Sequence, residues 1–218
     1  AAPGDPGAVL DGTPIIDRWG RDKTAEVAGT SHLSIVDGNG NAVAFTASVE
    51  FAFGSQRMAA GFVLNNELTD FSSVPAIDGR PVANAVAPGK RPRSSMTPTV
   101  VFDAGGHLFM VTGSPGGNSI VAYTAKSIIG VIDFGLSAAQ AIALPNVVAK
   151  GVPVRMEQER ATPALLEGLR GKGYVIDASQ GENSGLHAIV MRPDGLEGAA
   201  DPRREGVAAR VTLAPAKD

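Results

Sequence analysis

Thr30 directly follows Gly29 at the mouth of an apolar, β-branched run, Leu33-Ser34-Ile35-Val36. A threonine hydroxyl is a weak nucleophile while it keeps its proton, so it needs a base. A chain-terminal threonine carries one in its own α-amine, whose unperturbed pKa of roughly 7.7 to 8.0 leaves a useful neutral fraction. Thr30 gains that amine only if the Gly29-Thr30 bond is cut. The glycine helps, because a residue without Cβ lets the hydroxyl reach the preceding carbonyl in a tight turn. Taken alone, Gly-Thr is equally a loop that ends at a strand.

A second stretch, Thr112-Gly113-Ser114-Pro115-Gly116-Gly117, lies between a strand pattern and a helical one. Adjacent glycine N–H groups at a helix start can converge on a developing negative charge, and losing one such donor costs about 3 kcal/mol of barrier. The same run also serves as a plain strand-to-helix turn. It is not a nucleotide-phosphate loop, because no Gly-Lys-Ser or Gly-Lys-Thr follows. Asn65-Asn66-Glu67 and Asp70 suit a ligand ammonium, and Ser94-Ser95, behind the basic Lys90-Arg91-Pro92-Arg93, suits a carboxylate. Each is also an ordinary polar loop or turn. His32, His107 and His187 have neither metal-ligand spacing nor a serine partner and aspartate orienter in sequence, so core or surface roles are expected for them.

The 218 residues suffice for one sizeable core, with 44% hydrophobic and 19% charged residues and no cysteine. A net charge of -3 supplies no basic field, so no nucleic-acid partner is expected. Ile128-Ile129-Gly130-Val131-Ile132 is soon interrupted by Asp133, far short of the roughly 18 to 20 residues of a membrane span. No membrane partner is expected either. The chain starts at Ala1 with neither Met nor a leader pattern, as a piece of a longer protein would.

The elements that must position these residues follow from periodicity. Residues 1–29 are rich in Gly and Pro and then charged, with no helical or strand period beyond Pro14-Ile15-Ile16, as in a surface connector. A hairpin is predicted from Leu33-Ser34-Ile35-Val36 through Asp37-Gly38-Asn39-Gly40 into Asn41 to Ser48. The design recurs at Thr99 to Val111 around Asp103-Ala104-Gly105-Gly106, and a related strand and turn span Leu186 to Gly195. Between the first two lies an irregular, polar region, Phe53 to Pro98, of a length that is usually functional or disordered. Helices are predicted from near Asn118 or Ser119 to Ile132, from Ser137 to Ala143, and from Ala164 to Arg170 behind Thr162-Pro163 with Gly171 beyond the end, then a strand at Tyr174-Val175-Ile176. The tail from Asp201 is expected to be polar and frayed. Helices among antiparallel hairpins make an α+β fold.

Four segments together, in order and spacing, resemble the small subunit of the γ-glutamyltranspeptidases, members of the N-terminal nucleophile hydrolase superfamily. They are Thr30-Ser31-His32-Leu33-Ser34-Ile35-Val36-Asp37, Leu64-Asn65-Asn66-Glu67-Leu68-Thr69-Asp70-Phe71-Ser72, Lys90-Arg91-Pro92-Arg93-Ser94-Ser95-Met96-Thr97-Pro98 and Thr112 to Gly117. The resemblance implies an αββα sandwich, made as a precursor that cuts itself before Thr30 into a large and a small subunit. Residues 1–29 would then end the large-subunit region and residues 30–218 form the catalytic domain.

By the same resemblance Thr30 is the nucleophile, Ser48 stands where the family has a threonine that supports it, and Gly116 and Gly117 match the oxyanion-hole glycines. Glu67 and Asp70 match the residues that hold the substrate α-amine, and Ser94 and Ser95 those that hold its α-carboxylate. The family's carboxylate-binding arginine lies in the large subunit, the implied partner, so this piece alone would be inactive. The implied reaction transfers a γ-glutamyl group from an amide such as glutathione to water, an amino acid or a peptide, without metal or organic cofactor. The family's bacterial members are mostly periplasmic or secreted. Two departures stand out. Glu50 replaces an asparagine near the substrate amine and adds like charge beside Glu67 and Asp70. The segment from Asp70 to Ser94 is a few residues shorter than a full lid and has no tyrosine, which implies an open acceptor side. The competing readings are a glutaryl-cephalosporin acylase or poly-γ-glutamate-processing relative, and a non-catalytic domain of the same fold.

Overall fold

Thr30 opens strand β1, Thr30–Val36, which pairs antiparallel with β2, Ala42–Ser48, in the hairpin the alternation predicts. The computed structural model describes residues 14, 18–20, 22, 29–178 and 183–211. The turn is built by Asp37, whose carboxylate accepts the N–H groups of Asn39 and Asn41 at 2.8 and 2.9 Å.

The described chain divides into two compact units that do not follow chain order. One takes in Thr30–Ser48 and Ser95–Asp218, the other Ala1–Gly29 and Val49–Ser94. In the first, strands β3 (Thr99–Phe102), β4 (Leu108–Gly113), β5 (His187–Arg192) and β6 (Gly195–Ala200) form an antiparallel sheet in the order β6-β5-β4-β3. Because side chains alternate along a strand, each face of this sheet has its own partner. Met110, Ala188, Val190 and Ala199 join the buried cluster with Tyr123, Val131, Ala141 and Ile142 of helices α1 (Ile120–Ile132) and α2 (Ala138–Ala143). The β1–β2 hairpin lies against the sheet, where His32 meets Gly113 and His187.

The result is hairpin on sheet on helices, the α+β arrangement expected. Alternation also splits the hairpin. Thr30, His32, Ser34, Thr46 and Ser48 are the more buried set, whereas Leu33, Ile35, Val43 and Phe45 are 42 to 53% exposed. An apolar sheet face is thus turned outward, with no helix over it among the described residues.

Helix α2 begins with a capping box between Ser137 and Gln140. Helix α3, Pro163–Gly171, has Pro at its first turn and Thr162 accepting from Leu165 N–H. Gly171 falls inside the last turn rather than beyond it, and Lys172 caps the end. The following strand is Ile176–Asp177 rather than Tyr174 to Ile176, where Ile176 and Asp177 pair in parallel with Val154 and Arg155. Ser119 makes no side-chain cap; a 3-10 turn, Gly117–Ser119, leads into α1 instead.

The tail departs most from expectation. Asp201 is 1% exposed and accepts from Ser184 Oγ at 2.6 Å and from the Arg203 guanidinium at 3.0 Å. Arg203 also makes a two-pronged pair with Glu157 at 2.8 and 2.6 Å and donates to the carbonyls of Ile142 and Leu144. Polarity in sequence signalled solvent, but these charges satisfy one another and the free carbonyls at the end of α2.

In the second unit, little ladder forms, as the composition of Phe53 to Pro98 predicts. Met58–Ala59 pairs with Phe62–Val63, Ala76–Ile77 pairs with Arg80–Pro81, and Glu67–Asp70 is a 3-10 turn. Of the predicted connector, Pro14-Ile15-Ile16 and the charged residues 17–23 lie mostly outside the described residues. Gly20, which is described, bridges to Val82, and Asp22 accepts from Asn84 at 3.0 Å.

Candidate active site

The register of the first hairpin sets Thr30 opposite Ser48, and Thr30 Oγ1 donates to Ser48 Oγ at 3.2 Å. Two hydroxyl residues 18 apart in sequence thereby share one polar strip on the inner face of the hairpin. The strip continues with His32, whose Nδ1 lies 2.7 Å from Thr46 Oγ1 and Nε2 3.1 Å from Ser34 Oγ. Burial, and then the charge of His187, push the His32 imidazole down to about 4. His32 is therefore neutral at pH 7. It sits above Gly113 because a Cβ there would come within 2.3 Å of its ring. The His32 and His187 rings stack with centroids 6.3 Å apart. The core role expected for His32 holds, while His107 is surface-exposed beside Asp103.

Thr30 and His187 line a pocket together with Pro115, Gly185, Asp201 and Arg204. Pro115 leads straight into Gly116 and Gly117. Gly116 has φ 137° and Gly117 φ 52°, conformations that L side chains rarely adopt, and a Cβ on Gly116 would meet the Tyr123 ring at 2.6 Å. The loop is held from behind by Ser114, fully buried, whose Oγ donates to Pro115 O at 2.6 Å and accepts from Gly185 N–H at 3.1 Å. Sequence reasoning named Ser114 only as part of the glycine run and passed over Tyr123, a core-facing residue of α1.

In the other unit, the carboxylates of Glu50, Glu67 and Asp70 lie within 4.8 Å of one another. Among the described residues this is the cluster whose donor atoms suit a cation, whether a metal ion or an ammonium. Glu50 is buried at 8% exposure with φ 72°, a strained backbone for a residue with a side chain. Asn66 steadies that backbone, accepting Phe51 N–H at 3.0 Å and donating its own N–H to Val49 O at 3.2 Å. Ser94 closes this unit and is exposed, whereas Ser95 begins the other unit's second segment and is half-buried. Asn84, which nothing in its sequence context singles out, binds Asp70 O, Asp22 and Arg93 N–H together.

The hairpin on a helix-backed sheet, with Thr30 at the head of its first strand, is the N-terminal nucleophile hydrolase fold of the solved gamma-glutamyltranspeptidases it matches. A family model described as gamma-glutamyltranspeptidase matches residues 12–211, and the chain belongs to that family. It is 38% identical over 183 residues to a glutathione hydrolase proenzyme of Escherichia coli (strain K12), covering 80% of this chain and 31% of that protein. The chain spans about a third of the length of the curated relatives it matches. The solved gamma-glutamyltranspeptidase from Pseudomonas nitroreducens complexed with L-DON aligns with TM-score 0.71 and 36% identity, over 83% of this chain and 99% of that one. A cephalosporin acylase from Bacillus halodurans aligns equally well in shape, TM-score 0.71, at 25% identity over 84% of this chain and 34% of that one.

Proposed function

We propose that this chain carries the nucleophile of an enzyme that transfers the γ-glutamyl group of amides such as glutathione to water, an amino acid or a peptide. Thr30 at the head of β1, its hydroxyl bonded to Ser48, is the observation that carries the reading. Cleavage of the precursor at Gly29-Thr30 frees the α-amine, with residues 1–29 ending the large-subunit region. The Thr30 hydroxyl adds to the γ-carbonyl carbon and its proton passes to the α-amine. The oxyanion that forms is met by the N–H groups of Gly116 and Gly117. Collapse breaks the C–N bond, the leaving amine takes the proton, and the acyl ester on Thr30 is then attacked by water or an acceptor amine.

Glu67 and Asp70, with Glu50, hold the donor's ammonium, and Ser94 and Ser95 hold its carboxylate. A glutaryl group has no ammonium for three carboxylates to bind, which favours a γ-glutamyl donor over a glutaryl one. The large subunit from the same precursor supplies the carboxylate-binding arginine. Support for that partner comes from the outward apolar face of Leu33, Ile35, Val43 and Phe45, since contiguous exposed apolar surface marks an interface. The segment from Asp70 to Ser94 contains only the short Ala76–Pro81 ladder, which supports an open acceptor side and hydrolysis over transfer. No helix among the described residues is long and apolar enough to cross a membrane, and the periplasm or exterior is the proposed location.

The test is the intact mass of the full-length precursor over time beside Thr30→Ala. A new subunit beginning at Thr30 in the parent alone, with release of aniline from a γ-glutamyl anilide, is expected. Cleavage at the same bond in Thr30→Ala would sink the self-processing reading. Dominant transfer product on adding a dipeptide acceptor would overturn the preference for hydrolysis.

A further inference from the structure

Asn84 lies in the segment between Asp70 and Ser94 and is half-buried. Its Nδ2 donates to the main-chain carbonyl of Asp70 at 2.6 Å and to Asp22 Oδ2 at 3.0 Å. Its Oδ1 accepts the N–H of Arg93, the residue before Ser94, at 3.0 Å. Its main-chain carbonyl accepts the N–H of Ser72, two residues after Asp70, at 3.0 Å. The side-chain orientation is fixed by chemistry, for a flipped amide would set its oxygen against two oxygens and its NH2 against an N–H.

Neighbouring groups make this junction stiff. Asp22, itself 14% exposed, bridges Asn84 to the Arg93 guanidinium 3.8 Å away. Lys90 reaches back to the carbonyls of Ala83 and Ala85, so the backbone on either side of Asn84 is tied as well. Phe71 and Val82 are the buried apolar residues beside these bonds. With so little ladder in this unit, these bonds set the distance between the backbone bearing Asp70 and the backbone leading to Ser94, and the Asn84 side chain makes three of them.

We propose that Asn84 is the positioning residue that fixes the spacing between the ammonium-holding carboxylates and the carboxylate-holding serine, and so sets selection for a donor carrying both an α-amine and an α-carboxylate. This rests on the site reading given above. A donor's ammonium and carboxylate sit on one carbon, so their holders must keep one separation; a loosened junction costs binding of that carbon without touching the nucleophile.

The experiment compares L-γ-glutamyl-4-nitroanilide with glutaryl-4-nitroanilide, which lacks the α-amine, on the matured full-length enzyme and its Asn84→Ala variant. The expected result is a fall of about tenfold in kcat/KM for the glutamyl compound, carried mostly by KM, with the glutaryl compound changed less than about threefold. Equal losses on both compounds would mean that Asn84 only holds the fold together, and no loss on either would mean that it positions nothing. Either result overturns the inference while leaving the γ-glutamyl reading in place. A parent enzyme with no preference for the glutamyl anilide overturns both. Should Asn84→Ala fail to mature, Asn84→Ser carries the same test, because its short hydroxyl cannot span the three side-chain bonds and brings no second carboxylate beside Asp22.

Discussion

Thr30 and Ser48 face each other across the β1–β2 pair, with the Thr30 hydroxyl donating to Ser48 Oγ at 3.2 Å. In the mechanism proposed above the Thr30 proton turns to the freed α-amine, and the Ser48 hydroxyl, able to donate as well as accept, then holds the attacking oxygen. Ser48→Ala in the assembled enzyme is expected to lower kcat about tenfold, the worth of one hydrogen bond near 1.4 kcal/mol. Ser48→Thr keeps the hydroxyl and should stay within about twofold. Steady-state turnover of a γ-glutamyl anilide checks both, and equal loss in the two variants would count against the hydroxyl's role.

Gly116 has two independent reasons to be glycine, its φ of 137° and the Tyr123 ring 2.6 Å from where a Cβ would stand. Gly116→Ala is expected to cut kcat by roughly 100-fold or more, the scale of one displaced oxyanion donor. Removing the ring as well, in Gly116→Ala with Tyr123→Leu, should restore only part, because the backbone strain persists. Full recovery in the double variant would assign the whole effect to the collision.

Arg203 is 2% exposed and bonded to both Glu157 and Asp201. Burial by itself would raise the Glu157 carboxyl, but hydrogen bonds from Arg203 and from Asn146 N–H bring it below the ordinary range. Breaking such a pair strands a charge, so Arg203→Ala should destabilise by about 3 to 5 kcal/mol. His107→Ala, which removes only an exposed ring contact to Asp103, should leave stability nearly unchanged. Thermal melting of the matured enzyme measures both.

His32 gives a signed pH dependence. Its folded value near 4 is below the ordinary 6.5, so between those values the unfolded chain binds a proton that the folded chain does not. Stability is full above pH 6.5 and falls as the pH drops toward 4, by about 3 kcal/mol from this group. His187, also lowered by burial although Asp201 opposes it, adds to the same slope. Melting temperature against pH should be flatter in His32→Gln; an unchanged slope would place the effect elsewhere.

Periodicity and turn chemistry decided much of this protein in one dimension. Asp37-Gly38-Asn39-Gly40 could only be a tight turn between strands, and the Ser137 to Gln140 box and Thr162-Pro163 marked helix starts, because caps and turns act within a few residues. Thr30, the Gly116-Gly117 pair, and Glu67 with Asp70 were likewise readable as candidates, for nucleophile, anion-facing donors and cation holders in turn, from residue type and spacing. Tertiary structure alone decided which of two alternating faces went inside. In β1 and β2 the polar face turned in, so that Thr30 meets Ser48, and the apolar face turned out, against the simplest expectation for a hairpin. Only the fold could bury Asp201 and Arg203 in a tail that read as frayed, since their partner Glu157 and the open carbonyls of α2 lie more than forty residues away. The same holds for Asn84, an ordinary loop asparagine by sequence, whose three partners converge from residues 22, 70 and 93. Hydrogen bonds between distant segments leave no periodic trace in the chain, and such bonds carry the site's geometry.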